Sequence, residues 1–240
     1  MRRRRFSLRI DHVATLRQVR RATLPDPVAA ALAAELVGVD GIVAHLREDR
    51  RHIQERDARL LRQLVRTSLT LELAPTQEML KLAYDIKPDA ITLVPEQRDE
   101  ATTERGLDVA RDRDHLRKYV QSLRDADIDV ILLIEPDLDH VRTVHRIDVT
   151  AVELHTGKYA QARSLVARRT ELQRLVDAAR AANKLGMRVS ASHSLSYQNI
   201  AALVPIDEIE QFVVGHAVVA QSLMVGLERA VRDMQQLLAS

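Results

Sequence analysis

A (β/α)8 TIM barrel, a single α/β domain in which eight parallel strands alternate with helices, is the fold that the sequence predicts. Short apolar or β-branched segments alternate with longer amphipathic segments eight times within 240 residues, and barrels of this class have about 250 residues. The chain contains only seven glycines and seven prolines, which fits short connections within one domain over residues 1–240. A doubly wound open sheet is the alternative, but no Gly-x-Gly-x-x-Gly fingerprint follows any strand.

The predicted strands are short segments, in most cases apolar or β-branched, as is usual for strands. In chain order they are Ser7–Val13, Gly41–Leu46, Ser68–Leu73, Ala90–Pro95, Asp129–Glu135, Thr150–His155, Arg188–His193 and Gln211–Gly215. Parallel strands joined by right-handed crossovers close into a barrel, so their carboxyl ends are expected to meet at one rim.

The predicted helices are the amphipathic segments between these strands. They include Asp26–Val37, Asp57–Arg66, Thr76–Ile86, His115–Ala126, Asp137–Arg146 and the long Ala160–Leu185, and the chain closes with Ala217–Leu238. Asp26 precedes Pro27, the order typical of an N-cap followed by proline at the first helical position. The polar segment Glu96–Arg113 is long for a barrel connection, which makes it a candidate substrate-covering loop.

The charge balance disfavours nucleic acid as a partner. The 36 Lys and Arg residues are matched by 34 Asp and Glu residues, so most arginines are expected on solvated helix faces or in ion pairs. Aromatic residues make up 2% of the chain, which leaves few platforms on which bases could stack. The Arg2–Arg5 run is interpreted as part of a flexible basic terminus over residues 1–6.

Hydropathy and the absence of cysteine set further limits. No apolar run reaches the roughly 18 residues that a membrane-spanning helix needs, and the basic start leads into no signal-peptide pattern. We therefore expect a cytoplasmic protein without membrane contact. Because the chain has no cysteine, disulfides, a thiol nucleophile and cysteine-ligated metal sites are excluded.

Titratable residues concentrate at the predicted carboxyl ends of the strands, the rim that carries the active site in this fold. Six of the nine histidines lie at or just beyond these ends: His12, His45, His52, His155, His193 and His216. Five carboxylates join them: Asp11, Glu72, Glu96, Glu135 and Glu153. This concentration predicts acid–base chemistry on a small phosphorylated carbonyl compound.

Structural alternatives exist for several of these residues. Glu72 and Glu153 each interrupt an apolar strand, and an ion pair with an arginine would also explain a buried carboxylate there. His45 and Arg47 point the same way from an extended chain, as a base beside an anion-binding arginine would. The alternative is that both residues simply belong to a charged surface turn. His193 alone would fit a hydrogen-bonded core histidine.

Two further kinds of site follow from residue spacing. Gly215-His216 opens the last predicted helix, where free backbone N–H groups favour a phosphate, and an ordinary tight turn is the alternative. A metal site is disfavoured, because the histidines come from different strands and no His-Glu-x-x-His motif occurs.

Eight sequence blocks carry a resemblance to one enzyme family. They are Ile10–Arg17, Pro25–Pro27, His45–Ile53, Val94–Glu96, Thr102–Glu104, Gly106–Val109, Glu153–Gly157 and Gly215–Ala217. The blocks are colinear over nearly the whole chain, and by them the sequence closely resembles the pyridoxine 5′-phosphate synthase family. The His45–Ile53 block is the most specific of them.

The resemblance implies a barrel that assembles as a homo-oligomer, typically an octamer. It implies condensation of 1-deoxy-D-xylulose 5-phosphate with 3-amino-2-oxopropyl phosphate to pyridoxine 5′-phosphate, inorganic phosphate and water, with no metal or organic cofactor. By resemblance, His45 and Glu72 act as general bases, His193 acts as a general acid, and Glu153 stabilises the transition state.

The resemblance also implies two substrate half-sites. The deoxyxylulose phosphate would be held by Arg47, His52 and Thr102, with Asp11 and His12 close to it. The aminoketone phosphate would be held by Arg20, Gly215 and His216.

The departures from the family pattern cluster on the aminoketone side. Arg9 stands where the family usually has an asparagine that contacts this substrate, and Ser192-His193-Ser194 replaces Gly-His-Gly. We therefore predict that Arg9 and Ser194 contact the substrate. Two hypotheses follow: a working synthase with a compensated aminoketone pocket, or a divergent paralogue that binds a sugar phosphate but uses another amine partner or lacks turnover.

Overall fold

The computed structural model describes residues 3–97 and 103–239 and contains a closed barrel of eight parallel strands. The strands are β1 (Arg5–Arg9), β2 (Gly41–His45), β3 (Ser68–Leu73), β4 (Ala90–Leu93), β5 (Asp129–Ile134), β6 (Ala151–His155), β7 (Arg188–Ser192) and β8 (Ile209–Val214). Each strand pairs with its sequence neighbours, and β1 closes the barrel against β8. The predicted fold class is confirmed.

The helices pack outside the strands and bury their apolar faces against them. They are α1 (Asp11–Val19), α2 (Pro27–Val37), α3 (Glu55–Leu64), α4 (Gln77–Ile86), α5 (Arg113–Arg124), α6 (Leu138–Arg146), α7 (Gly157–Gln161), α8 (Leu165–Lys184), α9 (His216–Val225) and α10 (Leu227–Ala239). Asp26 is the N-cap of α2 as predicted, and its side chain accepts a hydrogen bond from the Val28 N–H. Within the described residues, none of these helices is both long and apolar enough to cross a membrane.

The chain enters the barrel earlier than predicted. Strand β1 begins at Arg5 instead of Ser7, and Arg4 is buried. The Arg4 guanidinium donates to the Val204 and Asp207 carbonyl oxygens at 3.0–3.3 Å, and to the Asp207 carboxylate. The interpretation of residues 1–6 as a flexible terminus is therefore wrong for Arg4–Phe6. Arg5 and Phe6 pair with β8 and so help to close the barrel, and Arg4 is held by Val204 and Asp207.

Most predicted elements differ from the observed ones by at most two residues at an end, and three differ by more. Strand β1 ends at Arg9, and helix α1 begins at Asp11, so Asp11–Val13 are helical and not part of the strand as predicted. The predicted helix over residues 160–185 is divided, because Ser164 caps α8 through its hydroxyl and so separates it from α7. The last predicted helix is broken at Gly226, whose φ of 83° no helical residue has.

Candidate active site

Strand register brings the predicted acid–base residues to one level inside the barrel. His45 at the end of β2 pairs with Glu72 on β3, and Glu153 on β6 pairs with Ser190 on β7. The Glu72 and Glu153 side chains are only 1% and 2% exposed. Carboxylates buried this deeply need partners, and the partners define the site.

Arg9 supplies the positive charge for this cluster. Its Nη2 donates a hydrogen bond to Glu72 Oε1 and lies 3.7 Å from Glu153 Oε1, while its Nε lies 3.8 Å from Asp11 Oδ2. Burial by itself lowers the pKa of Arg9, but the three carboxylates outweigh burial and raise it. The ion-pair alternative for Glu72 is thus present in the structure, with Arg9 as its partner, and Arg9 points into the site.

One arginine does not balance three carboxylates, so the acids of this cluster hold protons unusually tightly. Burial raises the pKa of Glu153 to about 7, with the Glu72 charge adding to the effect and Arg9 opposing it. Burial likewise raises the pKa of Asp11 to about 6 against the effect of Arg9. Two carboxyl groups therefore titrate close to neutral pH, where acid–base catalysts work best.

His45 lies between two carboxylates. Its Nδ1 is 3.8 Å from Glu72 Oε2, its Nε2 is 3.1 Å from Glu96 Oε1, and its backbone N–H donates to Asp11 Oδ1 at 2.7 Å. Burial tends to raise the pKa of Glu96, but the contacts with His45, the Glu48 N–H and Arg47 together outweigh burial and lower it. Glu96 therefore acts as the carboxylate that orients the His45 ring, a role that the sequence-based assignment of site residues did not include.

His193 follows β7 in a sharp turn with left-handed backbone at two successive residues, His193 (φ 72°) and Ser194 (φ 58°). The hydroxyl of Thr156 donates to the His193 carbonyl oxygen and lies 2.9 Å from that of Ser192, which holds this turn. The His155 and His193 rings stack with centroids 4.7 Å apart. Burial, followed by the charge of Arg9, lowers the pKa of His193 well below its usual value, so the ring is neutral at pH 7.

A cavity of about 170 Å³ opens above this cluster between β8 and the start of α9. Its polar lining comprises Arg9, His12, Thr103, His193, Ser194, Ser196 and His216. Gly215 caps α9, and a Cβ at this position would lie 2.9 Å from the Cβ of Arg9, so a side chain there would collide with β1. The cavity therefore meets the open N-terminal N–H groups of a helix, as an anion site requires.

The predicted deoxyxylulose-phosphate residues lie on the β2 side of the rim. Arg47 is buried, and its Nη2 donates to the Gln97 carbonyl oxygen at 2.9 Å, while its buried Nη1 has no hydrogen-bond partner among residues 3–97 and 103–239. The His52 Nδ1 lies 2.9 Å from the Thr15 hydroxyl. An arginine with a buried, unsatisfied nitrogen beside an ordered histidine can receive a phosphate.

The remaining predicted site residues differ in whether they reach the cavity. His12 reaches the cavity and packs edge-on against His216 at 5.1 Å, and burial lowers the pKa of His12 to about 4. Arg20 is exposed just after α1 and does not line the cavity. Thr102 lies outside the described residues, as does the middle of the predicted covering loop.

The fold and this site define a class: a (β/α)8-barrel enzyme whose buried carboxylates and histidines occupy the carboxyl rim of the barrel. The sequence family described as pyridoxal phosphate biosynthesis protein PdxJ matches residues 6–240. The chain belongs to this family.

Curated relatives agree with this assignment. The chain is 50% identical over 230 residues to the pyridoxine 5′-phosphate synthase of Syntrophobacter fumaroxidans, covering 96% of the chain and 97% of the relative. It is 51% identical over 234 residues to the enzyme of the same name from Thermosynechococcus vestitus, covering 98% of each.

Solved structures with distant sequences share the fold. KGPDC from Streptococcus mutans superposes over 100% of both chains with a TM-score of 0.66 at 14% identity. Phosphoribosyl anthranilate isomerase from Thermus thermophilus superposes over 98% of both chains with a TM-score of 0.61 at 15% identity. At these identities the similarity concerns the barrel alone.

Proposed function

We propose that this chain is an active pyridoxine 5′-phosphate synthase that joins 1-deoxy-D-xylulose 5-phosphate to 3-amino-2-oxopropyl phosphate by acid–base catalysis. The observation that carries the proposal is the convergence of His45, Glu72, Glu153 and His193 from four different strands on one buried cluster under a polar cavity. The names of relatives that are about half identical over nearly the whole chain support the same reaction.

The chemistry needs several proton transfers, in imine formation, phosphate elimination and ring closure. Glu72 and His45 act as general bases: their side chains are neighbours, and Glu96 orients the imidazole. Glu153, with a pKa of about 7, can accept or return a proton near neutral pH. The neutral His193 serves as the acid from the opposite side of the barrel.

Two phosphorylated substrates need two anion sites. Arg47 and His52 serve the deoxyxylulose phosphate, because the buried Arg47 Nη1 has no partner in the described part of the chain and the His52 ring is fixed by Thr15. Gly215 and His216 serve the aminoketone phosphate through the N-terminus of α9, which borders the cavity.

The proposal is tested by supplying purified protein with both substrates and detecting pyridoxine 5′-phosphate by mass spectrometry. Product is expected with both substrates and not when the aminoketone phosphate is omitted. Absence of product from both substrates, in protein whose melting temperature still rises with the deoxyxylulose phosphate, would contradict the proposal.

A second candidate, a paralogue with another amine partner, is favoured by one observation. Arg9 lines the cavity beside His12 and His216, and its fixed positive charge would repel the ammonium group of an amine substrate. Under the proposal above, by contrast, Arg9 is required because it offsets the charges of Glu72 and Glu153.

Arg9→Asn separates the two candidates. We expect this variant to lose kcat/KM by about 10²-fold, the lower end for a disturbed acid–base group, because two buried carboxylates lose their counter-charge. Steady-state kinetics over a range of aminoketone phosphate concentrations measure the effect. A lower KM for the aminoketone phosphate with kcat retained would favour the paralogue instead.

A further inference from the structure

We propose that Ser192 is a proton relay between Glu153 and His193, through which His193 exchanges the ring nitrogen that carries its proton without acquiring a charge. The proposal deepens the proposed function, since it rests on Glu153 and His193 taking part in that chemistry. Ser192 would then be a positioning residue that acts through both of them.

The contacts of one hydroxyl group carry the inference. Ser192 is fully buried at the end of β7. Its Oγ is hydrogen-bonded to Glu153 Oε1 and lies 2.6 Å from His193 Nδ1. A hydroxyl has one proton, so Ser192 donates to one of these partners and accepts from the other.

Two neutral-ring arrangements place the relayed proton at opposite ends of these contacts. When Glu153 is ionised, Ser192 donates to it, and His193 must present Nδ1–H to the Ser192 oxygen, which leaves Nε2 without a proton. When Glu153 is protonated, its O–H donates to Ser192, Ser192 donates to Nδ1, and the histidine proton is on Nε2.

Proton uptake converts the first arrangement into the second with all atoms balanced. Nε2 accepts a proton from the substrate, Nδ1 passes its proton to the Ser192 oxygen, and Ser192 passes its own proton to Glu153. The Nε2–H bond forms as the substrate loses its proton, and the Nδ1–H bond breaks. Ser192 exchanges one O–H bond for another, and a new O–H bond on Glu153 makes that carboxyl group neutral. The reverse sequence lets Nε2–H protonate a leaving group while Glu153 recovers its charge.

The surroundings favour such an exchange over a charged histidine. Burial disfavours the charged form of His193. The positive charge of Arg9 and the neighbouring rings of His155 and His45 disfavour it further. The stacked His155 ring is itself held neutral, since burial lowers its pKa as well.

The groups around Glu153 have opposite effects on its pKa. Burial and the nearby Glu72 carboxylate favour its protonated form, whereas Arg9 and the Ser192 hydroxyl favour its ionised form. Asp11 belongs to the same charge cluster through Arg9. With these opposed influences, the proton can reside at either end of the relay near neutral pH.

The first test is made on substrate-free, wild-type protein labelled with ¹⁵N-histidine. The His193 ring is assigned by comparison with His193→Gln, and its ¹⁵N shifts report which nitrogen carries the proton. We expect the proton on Nε2 below and on Nδ1 above a pH of about 7, where Glu153 titrates. A proton that stays on one nitrogen throughout this range would overturn the relay.

The second test compares three variants. Ser192→Ala should abolish the pH-dependent exchange and lower kcat by about 10²-fold, within the range for general acid–base groups, with KM nearly unchanged. Ser192→Thr, which keeps the hydroxyl, should restore both. Ser7→Ala is the matched control, because Ser7 is also a buried strand serine with one side-chain partner, Gln211 at 2.9 Å, and should keep wild-type kcat.

The outcomes separate this proposal from the proposed function. If Ser192→Ala keeps the exchange, or if Ser192→Ala and Ser192→Thr fold and lose kcat equally, the relay is wrong even though the enzyme turns over. If wild-type protein makes no pyridoxine 5′-phosphate, the proposed function fails while the ring-nitrogen measurement still decides the relay. Should Ser192→Thr not fold, the ¹⁵N measurements on wild type and Ser192→Ala decide.

Discussion

Replacing Glu72 by glutamine is expected to lower kcat by about 10³-fold, within the range lost when a general base is removed. Glutamine keeps the size and shape of the side chain but cannot take up a proton, and it withdraws the negative charge that Arg9 and His45 face. Steady-state kinetics measured as pyridoxine 5′-phosphate formed per enzyme per second give the effect directly.

The control for this change is Glu228→Gln on α10. Glu228 is 69% exposed and pairs with Arg232 on the same helix surface, so its replacement should leave kcat unchanged. If Glu72→Gln retained the kcat of that control while remaining folded, Glu72 would be a structural partner of Arg9 and no base.

A buried ion pair next to His52, one of the residues proposed to bind the deoxyxylulose phosphate, is expected to contribute strongly to stability. Arg17 donates to both carboxylate oxygens of Asp57 at 2.8 and 2.6 Å, and the Asp57 side chain is 0% exposed. Asp57 also accepts from the Gln54 N–H at the start of α3. Asp57→Asn should therefore lower the free energy of unfolding by about 3–5 kcal/mol, the usual loss when a buried pair is broken.

This ion pair also predicts a pH dependence. Burial is the largest single influence on the pKa of Asp57 and tends to raise it, but the hydrogen bonds from Arg17 and the Gln54 N–H, with the charges of Arg17 and Arg56, together outweigh burial and lower it. Because the folded-state pKa is below the unfolded one, the stabilisation is fully present above the ordinary aspartate pKa and is lost as the pH falls through that value toward the folded pKa. Asp57→Asn should remove this part of the acid sensitivity.

Urea denaturation at neutral and acid pH measures both effects. Asp85→Asn serves as the control, because the pair of Asp85 with Arg59 is largely exposed and such pairs contribute at most about 1 kcal/mol. A loss in Asp57→Asn no larger than in this control would contradict the role given to the pair. The Arg17 Nη2 also donates to the His52 carbonyl oxygen at 3.3 Å, so the variant should further raise KM for the deoxyxylulose phosphate.

The strands were predictable because most of them are short apolar or β-branched segments, and strand β3 begins and ends as predicted. The prediction failed at β1, where Ile10-Asp11-His12-Val13 alternates like a strand but forms the first turn of α1. The pairing of β1 with its neighbours decided this, since its last paired residue is Arg9, and such pairing is a long-range property that local alternation does not contain.

The site was predictable to the extent that it depends on strand ends. His45, Glu72, Glu153 and His193 converge because parallel strands of a barrel share one carboxyl rim. The contacts between side chains were not predictable, because they depend on rotamers and on register across strands that are distant in sequence. The Ser192 bridge and the Glu96 bond to His45 belong to this second kind.

Two departures from the family pattern that the sequence assigns to the aminoketone side are neighbours in the structure. Arg9 on β1 and Ser192 on β7 both contact the carboxylate of Glu153. Their side chains therefore act on the same proton site, which is consistent with changes that compensate each other. A double variant should show non-additive loss for this reason.

We propose that one active site at this barrel rim joins the two phosphorylated substrates. A single-turnover reaction with enzyme in excess, in which inorganic phosphate and pyridoxine 5′-phosphate are quantified over time, tests this claim. We predict equal amounts of the two products, with neither formed when one substrate is omitted. Phosphate released without pyridoxine 5′-phosphate, or no phosphate at all, would contradict the claim.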